Sequence, residues 1–216
     1  THKDAQAPPI LDNSKLLWSI TIKSKLDSWY KTNIVDKNYS QYVSTEAGFC
    51  NDRKVASGYS AFTIYGYGAN PTVYAPSARF FSNGWDSLSS QLPILKCNQA
   101  SNDLFTVSES SKGNHKLTYP IGLITIDEVV LAGAFGGANN RSFYLYTNQD
   151  YWTMSPSYIN SSGTALMFTL NSDGIFDSGY SAYWSAPGVR PVINLRSDVR
   201  IEGEGTSTDP YQVVGA

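Results

Sequence analysis

Residues 165–174, ALMFTLNSDG, decide the fold class of this chain. Ala165–Leu170 is a short apolar run typical of a buried strand, and Asn171-Ser-Asp-Gly174 is turn chemistry that favours a hairpin into a second strand. Comparable runs separated by turn residues predict further strands at 143–146, 151–154, 180–184, 189–195 and 211–214. The C-terminal part of the chain is therefore predicted to form an antiparallel sheet.

Two earlier segments carry helix signals. Residues 21–32 place apolar side chains at helical spacing, and this helix begins either at Thr21, as its N-cap, or earlier, at Asn13 or Ser14. The second signal is a capping box, Thr125-Ile-Asp-Glu128, which precedes an apolar run and glycines at 133, 136 and 137. A short strand is predicted just before it, at 121–124.

This order of elements predicts an α+β domain. We expect a flexible tail at 1–12 and a single domain at 13–216. Within it, 13–118 holds the first helix and an irregular insert, and 119–216 holds the core helix and the sheet. Because the chain opens at Thr1 with a polar, Pro-containing tail, we expect a mature domain from which an export signal or anchor was removed.

Composition favours recognition outside the cell. Charged residues make up only 16% of the chain, and Ser, Asn, Gly and Thr stand in their place, with 15 Tyr and 5 Trp. Such a surface suits ligand recognition, although a secreted β-rich protein without a ligand would show the same bias. The formal net charge of -2 argues against a nucleic-acid partner, which needs a dense stripe of Lys and Arg. The longest apolar run, 129–138, is too short and glycine-broken for a membrane span.

Cys50 and Cys97 are the only cysteines, and they are consistent with one disulfide. Closing that loop stabilises the fold by about 4 kcal/mol on the chain-entropy model. Two separate buried thiols are the alternative. A disulfide favours an oxidising compartment. The only histidines are His2 and His115, and no Cys/His cluster exists, so neither a metal site nor a cofactor is expected.

Two motifs in the C-terminal part carry a family resemblance. Tyr151-Trp-Thr-Met-Ser-Pro156 precedes a polar and aromatic interval that ends at Gly188-Val-Arg-Pro-Val-Ile-Asn-Leu195. A Trp-containing strand ending in Ser, followed by Gly-x-Arg-x-Val, resembles bacterial C-type-lectin-like domains of the formylglycine-generating-enzyme and retroelement-diversified ligand-binding types. The chain is most similar to uncharacterised cell-surface proteins of Gram-positive gut bacteria. The resemblance covers 119–214 strongly and 25–50 more weakly.

The resemblance implies a C-type-lectin-like fold, with two helices packed on a short antiparallel sheet and long irregular loops. It gives structural roles to Trp152 under the sheet, to Gly188 at a bend, and to Arg190 as a tie between the last strand and neighbouring backbone or a carboxylate. Both cysteines precede the motif, so the reactive pair of formylglycine-generating enzymes has no counterpart here. The signatures of calcium-dependent sugar lectins are also absent.

The resemblance further implies a ligand surface between the Trp152 strand and the Gly188 motif, bordered by the preceding loop. The residues predicted to form it are Asn139, Asn140, Tyr158, Asn160, Ser161, Ser178, Tyr180, Tyr183 and Trp184. Alternation along a strand turns half of its side chains inward, so Tyr180 and Trp184 are equally consistent with core positions.

These features favour an extracellular or cell-surface binding module that is not an enzyme and whose ligand is a protein or a glycan. The alternatives are a carbohydrate-active hydrolase, an oxidase of the formylglycine-generating type, and a pilin-like structural subunit. A deep pocket with perturbed carboxylates or a metal would favour an enzyme. A shallow polar and aromatic face would favour binding.

Overall fold

The computed structural model describes residues 13–56, 72–81, 92–182, 187–206 and 208–215, with the backbone alone for 13–21 and for Tyr180. The tail predicted at 1–12 lies outside these residues. Where described, the chain is mixed α and β with antiparallel sheets. Its elements are α1 (Asn13–Tyr30), β1 (Phe49–Cys50), β2 (Thr72–Val73), α2 (Ala75–Phe80), α3 (Ala100–Asp103), β3 (Leu104–Phe105), α4 (Ile126–Leu131), β4 (Tyr151–Ile159), β5 (Ala165–Leu170), β6 (Phe176–Ser181), β7 (Ile201–Glu202) and β8 (Gln212–Val213).

A four-stranded antiparallel sheet in the order β2-β4-β5-β6 forms the centre of the described fold, and it curls into half a barrel. Pro156 lies inside β4, where it removes a donor from the ladder. The register of β4 against β5 shifts on both sides of Pro156. Because such bulges bend a strand and increase its twist, this irregularity contributes to the curl of the sheet.

The predicted hairpin between β5 and β6 is confirmed, and β5 has the predicted bounds. Asn171 donates its backbone N–H to the Ile175 carbonyl at 2.8 Å, and Gly174 donates to the Asn171 carbonyl at 2.9 Å. Gly174 has a φ of +83°, which favours glycine. A Cβ at this position would also lie 1.9 Å from the carbonyl oxygen of Asn140, so the turn has no room for a side chain.

Each face of the sheet carries its own apolar core. Tyr151 and Trp152 are neighbours in β4 but belong to different cores, as strand alternation requires. The first core is formed by Leu26, Tyr30, Ile34, Val43, Ile121, Leu123 and Trp152. The second is formed by Phe80, Phe81, Ile126, Val129, Ala134, Phe143, Tyr151, Phe168, Leu170 and Phe176. Consequently α1 packs on one side of the sheet, and α2 and α4 pack on the other.

Helix α1 begins at Asn13, the earlier of the starts that the sequence allows, so Thr21 lies in the helix interior and is not its N-cap. The helix continues into the π-helical turn Lys31–Val35. Leu26, Tyr30 and Ile34 are all buried. Their four-residue spacing places them on one face, which is the face that covers the sheet.

Helix α4 confirms the predicted capping box. Thr125 Oγ1 accepts the Glu128 backbone N–H at 3.2 Å, and Glu128 Oε2 accepts the Thr125 backbone N–H at 2.8 Å. The segment before it, 121–124, is not a strand, because it contributes only an isolated bridge between Gly122 and Val192. The strand predicted at 189–195 is also wrong, because the segment makes only isolated bridges, from Val192 to Gly122 and from Leu195 to Val43. Pro191 has no N–H for a continuous ladder.

Two further strands differ from prediction. Residues 143–146 form a turn, in which Tyr146 donates its backbone N–H to the Phe143 carbonyl at 3.1 Å. The apolar side chains of this segment predict a strand, but Phe143 packs into the second core from a loop. The strand predicted at 180–184 overlaps β6, which begins earlier, at Phe176, and ends at Ser181; residues 183 and 184 lie outside the described residues. The final strand, predicted at 211–214, is confirmed as β8, which pairs with β7.

The predicted disulfide between Cys50 and Cys97 is confirmed, with the two Cα atoms 5.6 Å apart. Cys50 lies in β1, which pairs with β3, so the bond ties the irregular segment around Cys97 to a hydrogen-bonded strand. Of the helices in the described residues, none is long and apolar enough to cross a bilayer.

Candidate functional site

The residues predicted to form one ligand surface are divided between two ends of the sheet. Asn160 and Ser161 lie at the turn between β4 and β5, whereas Asn140 contacts Gly174 in the turn between β5 and β6. Successive turns of antiparallel strands fall at opposite ends of a sheet, and the 6 residues of β5 separate these two by about 20 Å. The exposed Asn139 directly precedes Asn140 and therefore lies at the same end of the sheet.

At the β4–β5 end, side chains mainly stabilise their own turn. Asn160 Oδ1 accepts hydrogen bonds from Ser162 and from Thr164, at 2.7 to 3.1 Å. Tyr158 is half-buried against the small core beside β2, and burial raises the pKa of its phenol. Ser161 is exposed. Only Ser161 among these presents a side chain without a role in the local structure.

Ser178, in β6, was predicted to contact the ligand, and the structure places it differently. Ser178 is fully buried, so it is not available to a ligand at the surface. The reason is alternation: Ser178 follows the buried Phe176 by two residues and faces the same way. The backbone of Tyr180 pairs with Met167, while its side chain, Tyr183 and Trp184 lie outside the described residues.

An open cleft of about 650 Å³ lies at the β5–β6 end. Three segments form it: residues 147–151 leading into β4, Ser172 in the hairpin turn, and residues 188–191. Thr147, Asn148 and Gln149 are exposed, and most of the lining groups are hydroxyls, amides or charges. The cleft is a largely polar concave surface around Gly188 and Arg190, two residues of the sequence motif.

Hydrogen bonds fix the loop of this cleft to the hairpin. Asp150 Oδ1 accepts the Ser172 backbone N–H at 2.6 Å. The Tyr146 hydroxyl lies 3.1 Å from Asn148 Oδ1 and 3.0 Å from the Ser172 carbonyl, and it can donate to either. Asn148 has a φ of 55°, a conformation that asparagine tolerates better than most residues. These hydrogen bonds hold the loop and the Asn148 side chain in place before any ligand arrives.

Arg190 forms part of the cleft wall. Its Nη1 donates to the Leu145 carbonyl at 2.7 Å, and its guanidinium lies 5.3 Å from the centroid of the Tyr151 ring. Burial raises the pKa of the Tyr151 phenol, and the Arg190 charge acts in the opposite direction. The sequence motif assigned Arg190 to a tie between backbone segments, and the Leu145 contact is a tie of that kind.

Trp152 and Gly188 form the base of the same region. Trp152 is 1% exposed, and its backbone N–H donates to the Gly188 carbonyl at 3.1 Å. Gly188 in turn donates to the Asp150 carbonyl at 2.8 Å. Gly188 does not adopt the left-handed backbone region; a Cβ there would lie 3.3 Å from the Asp150 carbonyl oxygen. Glycine is favoured at position 188 because this segment approaches the backbone at Asp150 closely, and not because the chain bends there.

A second cavity, of about 560 Å³, lies beside the disulfide and is underlain by a buried ion cluster. Arg79 binds Asp127 through Nε and Nη2, at 2.9 and 2.7 Å, and contacts Asp52 at 3.1 Å. All three side chains are at most 9% exposed. Asp127 also accepts the Ile94 backbone N–H at 2.7 Å. With its carboxylate oxygens engaged in this way, Asp127 holds α2, α4 and the Ile94 segment together.

Sequence reasoning missed this cluster. The sequence identifies Asp127 only as part of the Thr125–Glu128 capping-box stretch, and Arg79 and Asp52 carry no motif. The partners are 27 and 48 residues from Arg79 along the chain, so no local pattern joins them. Gln149 and Asn148 were missed for a similar reason, since the cleft exists only once three separate segments meet.

Among the described residues, no group of three or more His, Cys, Asp or Glu side chains is placed to hold a metal ion. The cleft therefore has to be interpreted through its hydroxyl, amide and charged groups. No protein-family model, no curated protein and no solved structure matches this chain.

Proposed function

We propose that this chain is an extracellular binding module of C-type-lectin-like type, and that its ligand occupies the cleft formed by residues 147–151, Ser172 and 188–191. The observation that carries the proposal is the convergence of hydrogen-bonding groups from three segments on one open concave surface. Preorganised polar groups reduce the cost of binding, and here hydrogen bonds within the protein fix Asn148, Arg190 and the loop at Asp150.

The proposal moves the site away from the surface expected from the sequence. Tyr158 and Asn160 have structural partners, and Ser178 is buried. Asn139 and Asn140 stay near the site, because Asn140 contacts the hairpin turn that supplies Ser172. Asn140 itself is anchored through Nδ2 to the Gly133 carbonyl at 2.7 Å, so it supports the turn.

Two further observations support the remaining parts of the proposal. The disulfide favours an oxidising compartment, which for a displayed domain is the outside of the cell. The packing of Trp152 and the Leu145 contact of Arg190 fit the roles that the resemblance gave these residues, whereas Gly188 serves a close approach of two segments and not the expected bend. The first two support a lectin-like scaffold.

The test is a binding screen of the purified domain on glycan and protein arrays, followed by calorimetry on a hit. Gln149→Ala should weaken binding by about tenfold or more, since truncating a contact residue costs roughly 1–2 kcal/mol. Asn148→Gly removes the amide but keeps the positive φ accessible, and it should do the same. Ser161→Ala, at the other end of the sheet, is the control. Loss of binding in Ser161→Ala with intact binding in both cleft variants would place the site elsewhere.

A further inference from the structure

Arg190 differs from the other arginines of this chain in its environment. Arg53, Arg79 and Arg196 each pair with an aspartate. Two more, at 141 and 200, make no ion pair with described residues, but both are exposed to solvent. Arg190 is half-buried and also has no carboxylate partner within the described part of the chain. A partly desolvated cation of this kind lacks a counter-charge.

The contacts that Arg190 does make leave that charge unbalanced. The Leu145 carbonyl, the Tyr151 hydroxyl and the face of the Tyr151 ring supply partial negative charge only. A guanidinium carries five N–H donors, and the carbonyl accepts from one of its nitrogens. The side chain lines the open cleft. Its planar fork matches the two oxygens of a carboxylate better than any neutral acceptor.

We propose that Arg190 binds the carboxylate of an acidic sugar, a uronic or sialic acid residue of a glycan; this inference rests on the proposed function of the cleft. Thr147, Asn148, Gln149 and Ser172 surround the position with groups that suit sugar hydroxyls. Asp150 lines the same cleft but makes no ion pair with Arg190, and its carboxylate instead accepts the Ser172 backbone N–H, so the cleft carries no net positive charge although Arg190 has no direct counter-ion among the described residues. Selection for the acid therefore comes from paired hydrogen bonds to the fork, and not from a positive field.

The experiment compares acidic oligosaccharides with their carboxyl-reduced counterparts on the unmodified protein. The probes are oligogalacturonate, a glucuronate-containing oligosaccharide and a sialylated trisaccharide, each with its reduced form. At least one acid should bind about tenfold or more tightly than its reduced form, as expected for a charge-assisted hydrogen-bond pair. Asp150→Asn keeps an oxygen for the Ser172 N–H, and it should raise affinity for that acid without changing binding of the reduced form.

Variants of Arg190 test the assignment directly. Arg190→Gln should abolish the preference for the acid, and Arg190→Lys should retain only part of it, because an ammonium lacks the fork. The melting temperatures of the two Arg190 variants show whether each is folded. If a variant is unfolded, the comparison of acidic with reduced oligosaccharides on the unmodified protein and on Asp150→Asn decides the inference. Equal binding of every acid and its reduced form, or no binding of any acid, overturns the inference. If neutral glycans still bind and Gln149→Ala weakens them, the cleft function stands while the carboxylate site fails; a ligand that is a protein free of glycans also refutes the inference.

Discussion

Replacing Arg79 should destabilise the protein far more than replacing Arg196, although the two arginines make nearly the same ion pair. Arg79 binds Asp127 through Nε and Nη2 at 2.9 and 2.7 Å, and Arg196 binds Asp198 through the same atoms at 3.0 and 2.7 Å. The two ion pairs differ in their exposure to solvent. The first pair is 5% exposed on both sides, and the second is 52% and 65% exposed.

The magnitude follows from what each substitution leaves behind. Arg79→Met leaves the carboxylates of Asp52 and Asp127, which are at most 9% exposed, without their cation, and removing one partner of a buried pair costs about 3–5 kcal/mol of unfolding free energy. Arg196→Met leaves Asp198 in water, and isolated surface pairs contribute little. Asp127→Asn in the Arg79→Met background removes one stranded charge while its amide oxygen still accepts the Ile94 N–H. The double variant should therefore be more stable than Arg79→Met alone.

The assay is urea unfolding followed by tryptophan fluorescence, which the 5 Trp residues of the chain permit. All four proteins are compared at one pH and ionic strength. The reasoning is refuted if Arg79→Met and Arg196→Met have the same effect within about 0.5 kcal/mol, the range of ordinary surface substitutions. It also fails if Asp127→Asn further destabilises the Arg79→Met protein.

Three other outcomes are expected. Reduction of the disulfide should lower the free energy of unfolding by about 4 kcal/mol, because the bond closes a separation of 47 residues; equal urea midpoints with and without reductant would contradict this. Thr125→Ala should cost about 1 kcal/mol through loss of the capping box, whereas Thr147→Ala, in an exposed loop, should not change the melting temperature. Burial raises the pKa of Tyr151 and Tyr158, so their contribution to stability is fully present below pH 10, the ordinary value, and is lost as pH rises through the raised values. Phenolate absorbance should show them titrating later in native than in urea-denatured protein; identical curves would refute it.

Local signals predicted the parts of the fold that local physics determines. The β5 strand, its Asn171–Gly174 turn and the Thr125/Glu128 capping box each depend on residues within a few positions of one another. Segments 143–146 and 189–195 contain the same residue types as strands, but whether they form strands depends on partners far along the chain. Phe143 fills a core from a turn, and Val192 finds a single bridge at Gly122.

The candidate site was harder to predict than the fold, because it is assembled from distant segments. Arg190 was identified through its motif, yet the sequence gives no sign that Leu145 and Tyr151 would leave its charge unbalanced. The expected surface between β4 and the Gly188 motif assumed that a continuous interval of sequence forms a continuous face. Antiparallel pairing instead sends successive turns to opposite ends of the sheet.

Within the cleft, stability and recognition are carried by different residues. Asp150 and Tyr146 hold the loop to the hairpin, so substitutions that remove these hydrogen bonds should alter both folding and binding. Thr147 and Gln149 are exposed and lie in the same loop between these anchors. Side chains at those two positions can therefore change with little cost to the fold. If the domain varies its ligand among related proteins, we expect the variation to concentrate at Thr147 and Gln149, and not at Asn160, which stabilises its own turn, or at Ser178, which is buried.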